Sequence, residues 1–213
     1  MAEIDPNQRP VDAATPPEPV YLWVDPTCPW AWQTSVWLRR LRDDGLVSIK
    51  WALFSLEIQA MPDSPFEEIA VRGGEALRAL VLVRSEDGQA AFEHLYDSIG
   101  TRMHAAKERI SPEMVRAAAA AAGLPEAIDR AVAVEETIEA VRTEHETAVE
   151  AGVFGVPTIQ IEGTKPMFGP VFALAPEGED VLTVWEHVRW LAARDDFYEL
   201  KRWRDRKPGT FGP

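Results

Sequence analysis

Apolar and polar positions fall into blocks along this chain, and the period of the pattern changes from block to block. Tyr21-Leu22-Trp23-Val24 is a short apolar run of strand length. Directly beyond it, Trp30, Thr34, Trp37, Leu38 and Leu41 recur at helical spacing along one face, and Gly45 suits the left-handed position that ends a helix. Ser48 to Leu56 returns to strand length with early alternation. A strand, a helix and a second strand in one sheet form a parallel crossover. Such a unit puts the loop after the first strand at the carboxyl edge of the sheet, where ligands bind in open α/β folds.

From about Asp63 to Gly152 the pattern is helical. The spacing predicts helices over 66–85, 88–99, 111–122, 125–133 and 135–151, separated by turn or cap residues that include Asp87-Gly88, Gly123 and Gly152. Ser111-Pro112-Glu113 supplies a cap and a proline at a helix start. The alanines from Ala117 to Ala122 reflect helix propensity and close packing. Gly155 to Ile161 reads as a strand again, and the turn Glu162-Gly163-Thr164-Lys165 leads to Met167-Phe168-Gly169 in an antiparallel hairpin. A last helix over 179–193 carries Val181, Val184, Trp185, Val188 and Leu191 on one face and is expected to cover the sheet. The predicted organisation is therefore a proline-rich flexible leader (1–19), an α/β domain built from 20–62 and 153–213, and a helical insertion (63–152).

Composition narrows the possible partners. With 22 Lys+Arg against 35 Asp+Glu, a net charge of -13 argues against nucleic acid or an anionic membrane. No stretch approaches the roughly 20 apolar residues that span a bilayer, and the amino terminus lacks the pattern of a secretory signal. The expectation is a soluble, cytoplasmic protein. The basic tail around Lys201-Arg202-Trp203-Arg204 is read as solvated or internally paired. His94, His145 and His187 lack metal-ligand spacing, and Gly73-Gly74 does not follow a strand as a nucleotide loop requires, so neither a metal nor a tightly bound cofactor is expected.

The candidate chemistry lies in Asp25-Pro26-Thr27-Cys28-Pro29-Trp30-Ala31-Trp32, which holds the only cysteine. A single cysteine excludes an internal disulfide, so any redox cycle must take its second sulfur from elsewhere. Thr27 is a cap residue and Pro29 suits a first helical turn, so Cys28 sits where a strand ends and a helix begins. Unpaired N–H groups and the positive end of the helix dipole favour a thiolate there, and the edge of the sheet would leave it partly exposed. Trp30, together with Trp32, would line an apolar approach.

Five stretches in order carry a family likeness: Asp25-Pro26-Thr27-Cys28-Pro29-Trp30, Gly100-Thr101-Arg102-Met103-His104, Gly155-Val156-Pro157-Thr158-Ile159, Phe168-Gly169-Pro170-Val171 and Phe197-Tyr198-Glu199-Leu200-Lys201-Arg202. On these the chain resembles the DsbA-like oxidoreductases of the thioredoxin fold, and within them the actinobacterial mycothiol-dependent nitroreductase and oxidoreductase proteins. The resemblance implies an α/β thioredoxin fold with a large all-helical insertion, Cys28 as nucleophile, and a cis Val156–Pro157 bond whose backbone pairs with substrate. It also implies that Pro29, Trp30, Ala31 and His104 border the bound thiol, with mycothiol as co-substrate. Two-cysteine members have Cys-Pro-Trp-Cys where this chain has Ala31, so no neighbouring thiol can release a mixed disulfide at Cys28. The expected function is a monothiol oxidoreductase acting with a low-molecular-weight thiol on mixed disulfides or small electrophiles. The alternatives are a thiol transferase or isomerase like the kappa-class glutathione transferases, which generally place serine at the position of Cys28, and a non-catalytic binding module.

Overall fold

The computed structural model describes residues 16–60 and 73–203. Its elements, in order, are β1 (Glu18–Val24), α1 (Pro29–Asp43), β2 (Val47–Leu53), a short α2 (Leu56–Gln59), α3 (Gly74–Gly100), a π-helical turn (Thr101–Ala105), α4 (Pro112–Ala121), α5 (Ala127–Ala133), α6 (Glu136–Glu150), β3 (Thr158–Ile161), β4 (Met167–Phe168) and α7 (Glu179–Ala192). The sheet order is β2-β1-β3-β4. β1 runs parallel to β2 and antiparallel to β3, and β4 is antiparallel to β3, so the crossover and the hairpin are both present.

β1 is the central strand. Val20, Leu22 and Val24 have no exposure at all, while Tyr21 on the other face stays open. The strand is longer than its apolar run, because Glu18 and Pro19 also pair with β2 and the Glu18 N–H donates to the Leu46 carbonyl at 3.0 Å. Of the leader expected over 1–19, residues 1–15 lie outside the described residues, and the last two belong to β1.

α1 presents Trp37, Leu38 and Leu41 to the core without exposure. Trp37 meets Trp185 of α7 with ring centroids 6.1 Å apart and donates its indole N–H to the Val181 carbonyl at 3.1 Å. The predicted covering helix is thus pinned to α1 by a buried hydrogen bond as well as by apolar contact.

The helical insertion closes the free edge of β2. The Trp51 N–H donates to Gln89 Oε1 at 3.0 Å, the Leu53 N–H donates to Glu144 Oε2 at 3.2 Å, and Arg84 donates to the Trp51 carbonyl at 3.2 Å. Side chains of α3 and α6 therefore satisfy backbone groups that an edge strand would otherwise expose. Trp51 also stacks obliquely on Phe92 and Tyr96 of α3.

The sequence predicts two helices on either side of Asp87-Gly88. The structure agrees: within Gly74–Gly100 the backbone leaves the helical region at Gly88, with φ 87° and ψ -176°, so two helical segments meet there at a kink. Glycine alone enters that conformation without strain. The start predicted at residue 66 lies outside the described residues. Ser111 caps α4 by accepting the Met114 N–H, as expected. The strand predicted over 155–161 is shorter: residues 155–157 form a loop, and pairing begins at Thr158.

Candidate functional site

The loop between β1 and α1 is built on Asp25. Its side chain is fully buried and accepts three hydrogen bonds: the Thr27 N–H at 2.7 Å, the Thr27 hydroxyl at 2.6 Å and the Leu56 N–H at 2.9 Å. An Asp that accepts from the backbone two residues on is an Asx turn, and this one ties the loop to the segment following β2. Burial pushes the Asp25 carboxyl above its usual range, while the bonds from Thr27 and Leu56 oppose that rise. Burial, and then the nearby Asp25, raise Glu57 as well.

Thr27 is therefore not the helix cap; its hydroxyl is already spent on Asp25. The cap is Cys28 itself, with extended backbone at φ -86° and ψ 108° and Pro29 opening the first turn. Its Sγ accepts the Ala31 N–H at 3.4 Å, in the position a serine hydroxyl ordinarily takes. On its other side Sγ lies 3.6 Å from the Val156 carbonyl oxygen, which accepts from the thiol form.

The Val156–Pro157 peptide bond is cis, and so is Gly169–Pro170, which the sequence reading did not single out. The Thr34 hydroxyl of α1 donates to the Pro170 carbonyl at 2.7 Å, and the Gly169 N–H donates to the Pro157 carbonyl at 2.8 Å. The loop before β3 and the end of β4 are thus both fastened beside the start of α1.

Cys28 is 6% exposed, where partial exposure was expected. The strand end and helix start alone would leave the sulfur open, but the loop at Val156, 128 positions further along the chain, packs against it. Pro29 and Trp30 are half-buried, and Ala31, Val156 and Pro157 are buried. Trp32 does not line an approach. It points into the core, 5% exposed, between Tyr96 and His104 and under the Arg39 guanidinium.

His104 comes from the π-helical turn that follows α3 and is 6% exposed. Its Nε2 lies 2.8 Å from the Pro26 carbonyl oxygen, two residues before Cys28. Burial pushes this imidazole down to about 4, so it is neutral near pH 7 and its proton resides on the nitrogen facing the carbonyl. Its observed contact is with the loop backbone. Burial, and then the charge of Cys28, push the Tyr96 phenol well above its usual range.

The arrangement offers one sulfur, a backbone donor at a helix start, and a loop of extended backbone facing it. Among the described residues no group of His, Cys, Asp and Glu side chains is placed to hold a metal ion. An open, charged groove of about 400 Å³ between α1 and α3 is lined by Arg39, Arg42, Glu93 and Asp97 and does not include Cys28. The sulfur lies at the junction of β1 and α1, with the Val156 carbonyl 3.6 Å from it. Asp25 and the Pro170 carbonyl were missed, although Asp-x-Thr before a helix is a readable turn signal.

Comparison with known proteins is consistent with this geometry. Residues 27–202 match the family described as the Rv2466c-like, mycothiol-dependent nitroreductase Rv2466c. The chain belongs to this family. A relative from Mycobacterium tuberculosis, the uncharacterized protein Rv2286c, is 34% identical over 183 residues, which cover 84% of this chain and 79% of the relative. Among solved structures, a probable DsbA oxidoreductase from Streptomyces coelicolor is similar with a TM-score of 0.57 at 19% identity, covering 88% of this chain and 94% of that one. The catalytic domain of Proteus mirabilis ScsC is similar with a TM-score of 0.58 at 14% identity, covering 83% of this chain and 85% of that domain. The fold is the DsbA-like thioredoxin fold. Membership of the family supports a thiol-dependent redox function, with an oxidoreductase as the coarse class. Among the described residues no helix is long and apolar enough to cross a membrane.

Proposed function

We propose that this family member is a monothiol oxidoreductase in which Cys28 carries a mixed disulfide with a low-molecular-weight thiol, mycothiol being the candidate the family supplies. The observation that carries the reading is the position of Sγ. It caps α1, takes the Ala31 N–H at 3.4 Å, and faces the Val156 backbone. A donor at a helix start stabilises charge on sulfur as it develops.

In the first step the Cys28 thiolate attacks the thiol-side sulfur of a mixed disulfide, the S–S bond breaks, and the other half leaves as a thiolate. In the second a thiolate of the co-substrate attacks that same sulfur, forming the symmetric disulfide and returning Cys28 as thiolate. One thiol is consumed for each one released, and two electrons pass between sulfurs. A small electrophile reduced by the same protein would draw its two electrons from two thiol molecules that join as one disulfide. A pool of reduced thiol as co-substrate fits the cytoplasm. Pro29, Trp30 and Ala31, with Val156 and Pro157, form the proposed walls of the thiol site. His104 acts through the loop, not on the ligand.

Incubation with oxidised mycothiol tests the cycle. Mass spectrometry is expected to show one mycothiol added at Cys28, released by reduced mycothiol, and no adduct on Cys28→Ser. Turnover by Cys28→Ser without an adduct would overturn the covalent cycle in favour of a transferase that activates a bound thiol. An inert Cys28 and no turnover would leave a binding module.

A further inference from the structure

The exposed aromatic surface beside this site is ordered. Phe154 and Phe168 stack with ring centroids 5.4 Å apart and planes inclined by 22°, although they are 69% and 40% exposed. Phe154 precedes Val156, whose carbonyl faces the Cys28 sulfur, by two residues. Phe168 ends β4, and because β4 runs antiparallel to β3 its end returns to the start of β3, where Val156 and Pro157 lie. Gly155 leaves room for the Phe168 ring: a Cβ there would come 3.2 Å from Phe168 Cε2, close enough that the ring would have to shift by a few tenths of an ångström.

We propose that the Phe154–Phe168 pair is a subsite that holds the flat aromatic group of a small-molecule substrate beside the loop whose Val156 carbonyl faces Cys28. The proposal rests on Cys28 being the reacting group, and it adds the chemical class of the second substrate. The rings offer no hydrogen-bonding atom, so a charged or polyhydroxylated group placed on them would lose water without replacement. A planar ring instead extends the existing stack at the 4.5–7 Å separation aromatic pairs prefer, each such contact contributing about 0.5–1.5 kcal/mol beyond area burial.

The size of the patch decides against a second copy of this chain. A Phe side chain presents on the order of 200 Å², so at the observed exposures the pair offers roughly 200 Å² in all, against about 800 Å² per partner in a stable interface. One ring system is what it can cover.

The test uses the full chain carrying Cys28→Ala, in which no step at sulfur occurs, and reads equilibrium binding of 2-naphthalenemethanol by ligand-observed NMR. The aromatic alcohol is expected to bind at least threefold more tightly than its decahydro analogue, which has similar size but no flat face. In the same background Phe154→Leu with Phe168→Leu is expected to weaken the aromatic alcohol at least threefold, and Phe154→Leu alone, at the more exposed position, checks that the loss is not one of folding. No binding, equal affinity for the saturated analogue, or a change below threefold in both variants would overturn the proposal. Failure of this test leaves the mycothiol adduct at Cys28 standing, and absence of that adduct leaves the ring affinity standing, so the two readings fail separately.

Discussion

His104 Nε2 donates to the Pro26 carbonyl at 2.8 Å and so fastens the helical insertion to the loop that carries Cys28. The bond requires the neutral imidazole only in the sense that burial excludes the charged one; both forms could donate from Nε2. What changes with pH is the cost of the buried charge.

That cost has a definite sign. A histidine held at about 4 in the folded protein, against 6.5 as its ordinary value, binds protons more readily when the chain is unfolded. Its share of stability is complete above 6.5 and is lost as pH falls toward about 4. At about 1.4 kcal/mol per pH unit the full loss is roughly 3 kcal/mol. Urea unfolding at pH 7 and pH 4 is expected to show His104→Gln losing less stability than the parent across that interval. Parallel losses in the two proteins would refute the assignment. Asp25, raised by burial, pulls the other way, so the comparison with His104→Gln is what isolates the histidine.

Gly100 is the second point at which insertion and α1 are keyed together. A Cβ added there would lie 2.1 Å from Cε3 of Trp32, well inside contact distance. The Trp32 ring is itself fixed against Tyr96 and His104, so it has no open side to move to. Gly100→Ala is expected to cost about 1–3 kcal/mol, the usual range for overpacking. Equilibrium denaturation checks the size, and a change in near-ultraviolet circular dichroism would place the disturbance at the tryptophan.

The free edge of β2 depends on Glu144, which accepts the Leu53 N–H and pairs with Arg84. Burial lowers the Arg84 guanidinium below its usual value, so removing the carboxylate leaves a partly buried cation and an unmatched backbone donor. Glu144→Ala is expected to destabilise by about 2 kcal/mol, since both side chains keep some contact with water. Glu144→Gln keeps an acceptor for the Leu53 N–H and should cost less. Equal losses would assign the effect to charge alone.

Much of this site was legible because its parts are local. Val24, Cys28 and Pro29 mark a strand end and a helix start by short-range rules, and the periodicity of Trp37, Leu38 and Leu41 is that of one helix face. The exposure of Cys28 was not legible, because it is decided by Val156, far along the chain. Trp32 was misplaced for a related reason: its spacing fits a helix start, but its surroundings are set by Gly100 and Tyr96 in the insertion. Asp87-Gly88 was legible as a break because its signal is local: the left-handed φ of Gly88 interrupts α3 at that point.

Ala31 offers the most direct test of the monothiol cycle. It is fully buried, and its N–H donates to Sγ of Cys28. In Ala31→Cys the introduced thiol would sit one turn further along α1, within reach of a mixed disulfide at Cys28. Its attack on the Cys28 sulfur would form an intramolecular disulfide and expel the small thiol as thiolate, with no second molecule required. The mycothiol adduct of the parent is expected to persist until reduced thiol is added, while that of Ala31→Cys decays at least tenfold faster in its absence. Ala31→Ser adds a side-chain atom of similar placement without the chemistry, so its adduct should persist like the parent's. Equal lifetimes for all three proteins would mean that position 31 has no access to the bond at Cys28, and that release in the parent is limited by something other than the missing thiol.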